Sequence, residues 1–232
     1  MSWIGKVLRS SLGRKLVMSL TGLFLILFLL THLAGNLQLL IPDKGEAFNR
    51  YADFMGHFLP VQIIAKGFYL LFIIHIFQGF ALWAYNRKAR GKERYAVKAT
   101  RAVNTNAVFA SNMAFLGLLI FAFLGIHMGD FWWASKFGEL PVISYGDGHE
   151  YHDLYKKVVM SFSQLWIVVV YVISMIALAF HLWHGFQSAF QTLGLNHKKY
   201  MPFIRGFGKL YAIVIPLLFA LIPIIMYLQN AA

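Results

Sequence analysis

There is no cysteine among the 232 residues, which excludes disulfides, thiolate-held metals and iron–sulfur ligation within the chain. Any redox role must therefore use other ligands. Acid is scarce too, with nine Asp and Glu against 21 Lys and Arg, and charged residues make up only 13% of the chain. A soluble domain carries about 25% charged residues, so almost no chain is left over for one.

What the chain has instead is apolar length. Hydrophobic residues reach 59% and the mean hydropathy is +0.62, against about 45–50% apolar residues in a soluble domain. Five segments approach or exceed the roughly 20 helical residues that a bilayer requires. They run from Lys15 to Ile41, Pro60 to Tyr85, Ala107 to Phe131, Val158 to Phe190 and Leu210 to Leu228. The expected fold is an all-α membrane protein, a five-helix bundle forming one domain. The basic N-terminus before an apolar run resembles a signal peptide, but the run is too long and lacks a small-residue cleavage site, so it reads as a retained helix.

A net charge of +12 could suggest nucleic acid, yet the cations alternate with the loops. Lys6, Arg9, Arg14 and Lys15 precede the first span; Arg87, Lys88, Arg90, Lys92, Arg94, Lys98 and Arg101 follow the second; Lys198, Lys199, Arg205 and Lys209 follow the fourth. These are 15 of the 21 cations, while eight of the nine carboxylates, all but Glu93, fall on the other side. The positive-inside rule then places the N-terminus in the cytoplasm and the C-terminus outside. The basic loops serve topology and lipid contact, or alternatively dock a cytoplasmic partner.

Nine histidines are present. His57, His149, His152 and His197 fall in loops; the spacing in GHEYHD permits chelation, but a solvated loop explains it as well. His32, His75, His127, His181 and His184 lie inside the apolar segments, where an ionisable group is costly and marks function. With a rise of about 1.5 Å per residue, His32 and His127 lie at comparable depth from the outer face, and His75 and His181 at comparable depth from the inner one. Two imidazoles at one height on facing helices suit a haem iron. Gly79 and Gly185 follow His75 and His181 by four residues, and Gly35 follows His32 by three; each lets a flat macrocycle approach the backbone, although close helix packing also favours glycine. His184, three residues after His181, is an alternative ligand. HIFQG and HLWHG superpose His75 on His181, leaving His184 aligned with Gln78 as a polar neighbour of the cofactor.

These pieces, SLTGLFLILFLLTHLAGN at 19–36, FIIHIFQGF at 72–80, GIHMGDFWW at 125–133 and AFHLWHGFQSAFQTLG at 179–194, resemble the single-chain dihaem cytochrome b membrane anchor of succinate dehydrogenases and fumarate reductases over nearly the whole chain. The resemblance implies two b haems, the inner one held by His75 and His181 and the outer by His32 and His127. It also implies flavoprotein and iron–sulfur subunits on the cytoplasmic side and a prokaryotic cytoplasmic membrane. Electrons from succinate would pass through these to a membrane quinone, menaquinone rather than ubiquinone, or in reverse for fumarate. The quinone site would lie near the outer haem, with Glu46, Tyr51, Asp53 and Asp130 as candidates; the alternative for each is a solvated loop residue. Two other classes compete: a haem anchor of a hydrogenase or formate dehydrogenase, and a haem-free transporter using the histidines as a proton path.

Overall fold

The structure, a computed structural model, describes residues 2–91 and 110–231. The expected start of the third span at Ala107 and the basic residues Lys92, Arg94, Lys98 and Arg101 lie outside the described residues. Among the described residues, nine helices and one hairpin follow in order: α1 Trp3–Arg9, α2 Ser11–Asn36 with a 3-10 extension Leu37–Leu40, α3 Glu46–His57, α4 Leu59–Arg90, α5 Met113–His127, a π-helical stretch Met128–Trp133, α6 Ala134–Phe137, β1 Val142–Ser144, β2 Glu150–His152, α7 Leu154–Phe162, α8 Leu165–Thr192 and α9 Met201–Ala231.

Five of the resulting helical spans are long and apolar enough to cross a membrane: Ser11–Leu40, Leu59–Arg90, Met113–Phe137, Leu165–Thr192 and Met201–Asn230. This matches the expected number, but the bounds differ: the first span starts at Ser11 rather than Lys15, the second runs on to Arg90, the third to Phe137, and the fifth starts at Met201 rather than Leu210. Two further differences concern the fourth span and the fold class. The fourth span does not begin at Val158, because the chain breaks at Ser163 and Gln164 and divides into α7 and α8. Nor is the fold purely helical, since β1 and β2 form an antiparallel hairpin with Ile143 opposite Tyr151. Gly146 and Gly148 turn its loop at φ +83° and +76°, a region that glycine enters without the penalty of a Cβ.

Local chemistry sets the helix ends. The Ser10 hydroxyl accepts the Gly13 N–H at 3.0 Å and starts α2; Pro60 stands in the first turn of α4; Gly91 follows its last residue at φ +71°. Pro216 and Pro223 lie within α9, as membrane helices tolerate where neighbours re-satisfy the backbone. Buried hydroxyls find carbonyls of their own helix: Ser19 donates to Lys15 O at 2.9 Å and Ser174 to Val170 O at 2.7 Å.

Neighbouring spans run antiparallel. Phe28 meets Phe68 and Phe72 between α2 and α4, Phe80 meets Phe121 between α4 and α5, Phe123 meets Tyr171 between α5 and α8, and Phe186 meets Tyr211 between α8 and α9. α9 returns beside α2, where the Tyr211 hydroxyl donates to Ile26 O at 2.5 Å. The core lies among α2, α8 and α9, on Ile26, Leu33, Val168, Tyr171, Leu182, Ala212 and Ile222. α4 and α5 pack at the side of this core: α4 contributes no fully buried residue and α5 only Leu116. That asymmetry bears on the histidines they carry.

α3, the hairpin and α7 form a polar cap over the end of the bundle opposite the N-terminus. Asn49, 1% exposed, ties it together by donating to the Tyr145 hydroxyl at 2.9 Å and Asp153 Oδ1 at 3.0 Å, and by accepting the Tyr155 N–H at 2.9 Å.

Candidate functional site

Four of the five membrane-segment histidines meet as two ring pairs. His32 of α2 meets His127 of α5 with ring centroids 5.7 Å apart, and His75 of α4 meets His181 of α8 at 6.3 Å. The His75 ring touches α2 at Thr21, which precedes His32 on the same helix, so the two pairs stand about 16 Å apart along the bundle. His184 lies further along α8; it is the His181 ring that meets His75.

The ring spacing of each pair would admit one metal ion between the two imidazoles. A metal takes an imidazole nitrogen at about 2 Å, so two imidazoles on opposite sides of one ion bring their ring centres to about 6 Å. The surroundings are aromatic: Phe28 stacks on His32 at 5.2 Å and Phe123 on His127 at 5.6 Å.

Hydrogen bonds distinguish the ring nitrogens. His75 Nδ1 lies 3.1 Å from Thr21 Oγ1, His127 Nδ1 3.1 Å from the Tyr171 hydroxyl, and His32 Nδ1 3.4 Å from Asn36 Nδ2. These contacts engage Nδ1 and leave Nε2 for another partner. His181 Nδ1 is buried and has no hydrogen-bond partner.

The glycines divide. A Cβ on Gly185 would meet nothing within 4 Å, in keeping with a place where a flat group can approach, and one on Gly79 would touch Met18 Cε at 3.5 Å. Gly35 is a correction to the sequence expectation. Its missing side chain admits the Tyr51 ring, whose Cε1 would stand 2.5 Å from an added Cβ, so that space belongs to the protein itself. Gly22 is the glycine that sequence reasoning passed over: a Cβ there would stand 3.3 Å from His75 Cε1.

The four acidic and phenolic candidates separate into two groups. Tyr51 lies against Gly35, just beyond His32, and its burial raises the phenol above its ordinary pKa. Asp130 lies in the π-helical stretch just after His127, paired with Lys157, whose Nζ also donates to Ser161 Oγ at 3.1 Å. Asp130 Oδ2 is buried and has no hydrogen-bond partner. Widened turns of this kind recur at functional sites.

Glu46 and Asp53 belong to the cap. Glu46 pairs with Arg50 at 2.9 Å, and Asp53 with His57 at 3.2 Å and His149 at 3.5 Å. Beside them Arg50 also grips Asp147 and donates to the Tyr151 hydroxyl at 2.8 Å. The Tyr151 hydroxyl, the His149 N–H and Arg50 together hold the Asp147 carboxyl well below the usual carboxylate range.

Thr21, Tyr171 and Lys157 escaped the sequence reading. Thr21 carries a signal in hindsight, since it sits within the SLTG opening of the first motif; Lys157 carries none, being 27 positions from Asp130. Compared with family models, curated proteins and solved structures, the chain matches none.

Proposed function

We propose that this chain is the dihaem cytochrome b membrane anchor of a succinate dehydrogenase or fumarate reductase, linking flavoprotein and iron–sulfur subunits to a membrane quinone. One observation carries the reading: four histidines on four different spans meet as two pairs, His75 with His181 and His32 with His127, at two levels. When bound, haem b supplies one-electron transfer between the two ends of the bundle. His75 and His181 would hold the haem nearer the N-terminal end, and His32 and His127 the other. The same residues admit a haem anchor of another respiratory complex, so the identity of the partner subunits rests on the motif resemblance.

The chain's own residues have definable tasks. The four imidazoles would hold the haems, His75 and His127 through the Nε2 that their Nδ1 contacts leave free, and apolar side chains such as Phe28 and Phe123 keep water from the rings. The basic N-terminal end, with Lys6, Arg14, Arg87 and Lys88, faces the cytoplasm by the positive-inside rule and offers docking charge to the partner subunits. At the opposite end Tyr51 and the Asp130–Lys157 pair lie beside the second histidine pair, which supports a quinone site there, menaquinone by the family likeness. A carboxylate with one free oxygen can accept a quinol proton, and an ammonium or phenol can donate to a quinone oxygen. Glu46 and Asp53 have no such role in this reading, because the cap already engages them.

The test is a dithionite-reduced minus oxidised spectrum of the purified protein with haem quantified per polypeptide, and identification of the subunits that copurify. Two b haems together with a flavoprotein and an iron–sulfur protein are expected. Colourless, correctly folded protein would overturn the proposal and favour a haem-free transporter; haem with a hydrogenase or formate dehydrogenase subunit would reassign the partner.

A further inference from the structure

Each histidine pair contains one ring with a cross-helix tie and one without. His75 and His127 are tied, by Thr21 and Tyr171. His181 Nδ1 has no partner, and the nearest group to His32 Nδ1 is Asn36 on its own helix. The tied rings sit on α4 and α5, the spans that bury almost nothing, whereas the untied ones sit on α2 and α8, which the core already fixes. A ring on a helix at the side of the core has less packing to hold its orientation than one within it; a hydrogen bond from a core helix adds to what its aromatic neighbours supply.

The carbonyls beside Thr21 compete for its hydroxyl hydrogen and favour one direction for the bond to His75. A threonine hydroxyl has a single hydrogen, and Thr21 Oγ1 lies 2.8 Å from Val17 O and 3.1 Å from Met18 O, both of which can only accept. With that hydrogen on a carbonyl the hydroxyl presents a lone pair towards His75, the arrangement in which His75 Nδ1 carries the proton and Nε2 does not. Thr21 is 4% exposed and Tyr171 6% exposed, so water does not compete at either place. Neighbouring Gly22 keeps α2 clear of the His75 ring.

The two ties are also crossed. α2 carries His32 of one pair and Thr21, which holds His75 of the other; α8 carries His181 of one pair and Tyr171, which holds His127 of the other. Eleven residues separate Thr21 from His32 and ten separate Tyr171 from His181, nearly the same rise on two helices.

We infer that Thr21 and Tyr171 are positioning residues: with Nε2 of His75 and His127 given to a haem iron, each Nδ1 keeps its proton and the two hydroxyls accept it, so that α2 and α8 set the geometry of both sites. The inference rests on the dihaem reading. An accepting partner makes an imidazole more electron-donating, which favours the oxidised metal, so each tie lowers the potential of its own haem.

Thr21→Val and Tyr171→Phe remove one acceptor each with little change of shape, and Thr21→Ser keeps the hydroxyl. The experiment is a potentiometric titration of the purified complex, followed by the haem absorbance, with haem content measured alongside. Thr21→Val is expected to raise one of the two midpoint potentials and leave the other in place, Tyr171→Phe to raise the other one, and Thr21→Ser to restore the wild-type pair. Loss of one haem alone in Thr21→Val, with both retained in Thr21→Ser, supports the inference equally. Unmoved midpoints in both variants, movement of the same haem by both, or a Thr21→Ser that behaves as Thr21→Val would overturn it. A wild-type protein without haem would instead sink the dihaem reading itself, so the two failures are distinguishable.

Discussion

The ring of Tyr51 fills the space left by the absent side chain of Gly35, just past His32 on α2, with Cε1 2.5 Å and the hydroxyl oxygen 3.1 Å from where a Cβ would stand. This contact joins the cap to the span that carries the histidine. Gly35→Ala must push the phenol away, an overpacking change that costs about 1–3 kcal/mol. A lower thermal midpoint is expected, and a raised KM for quinone with haem content intact. Tyr51→Phe keeps the packing and removes only the hydroxyl; wild-type stability with weakened quinone turnover would separate the chemical role from the steric one. Unchanged stability in Gly35→Ala would show that Tyr51 moves aside freely.

If the four histidines hold two haems as proposed, replacing them should remove the haems one level at a time. His75→Ala or His181→Ala is expected to leave one haem per chain, the one at His32 and His127, because the two pairs are about 16 Å apart and share no ring. His184→Ala should keep both haems, since His181 is the ring that meets His75. The pairing fails if a double variant of His75 and His181 still binds two haems.

Much of the fold and of the histidine arrangement is legible in the sequence. The five spans follow from uninterrupted apolar length, and the histidine pairs from counting residues at the fixed rise of a helix; both are local or linear quantities. The polar cap was not legible. Asn49 sits in an ordinary run, EAFNRYADF, and its buried role depends on Tyr145, Asp153 and Tyr155, about a hundred residues away. The break at Ser163 and Gln164 and the widened turn after His127 were hidden for a related reason: neither Pro nor Gly marks the first, and a π-helical stretch has no composition of its own.

Asp130 and Lys157 make a prediction about charge. Their side chains are 21% and 27% exposed, so removing one partner should cost less than the about 3–5 kcal/mol of a fully buried pair. Lys157→Met leaves the Asp130 carboxylate alone beside His127 and is expected to lower the thermal midpoint; adding Asp130→Asn to it should recover part of the loss. Asp130→Asn by itself should keep both haems and slow quinone turnover, measured as electron transfer from reduced complex to a soluble menaquinone analogue. Full turnover in that variant would remove Asp130 from the proposed site.

The cap carries a pH dependence of known sign. Asp147 is held below the usual carboxylate range in the folded chain, so it binds fewer protons there than in the unfolded one. Its contribution is therefore fully present above the ordinary aspartate value of about 3.9 and is lost only as the pH falls towards the depressed folded value. Hydrogen-exchange protection of the hairpin amides, corrected for intrinsic rates, should stay flat from pH 7 to about pH 4 and decline below. Asp147→Asn should start with lower protection, because Arg50 loses its charged partner, and should lack that acid decline. A decline equal to that of the wild type would place the acid-sensitive group elsewhere in the cap, with Glu46 and Asp53 the next to replace.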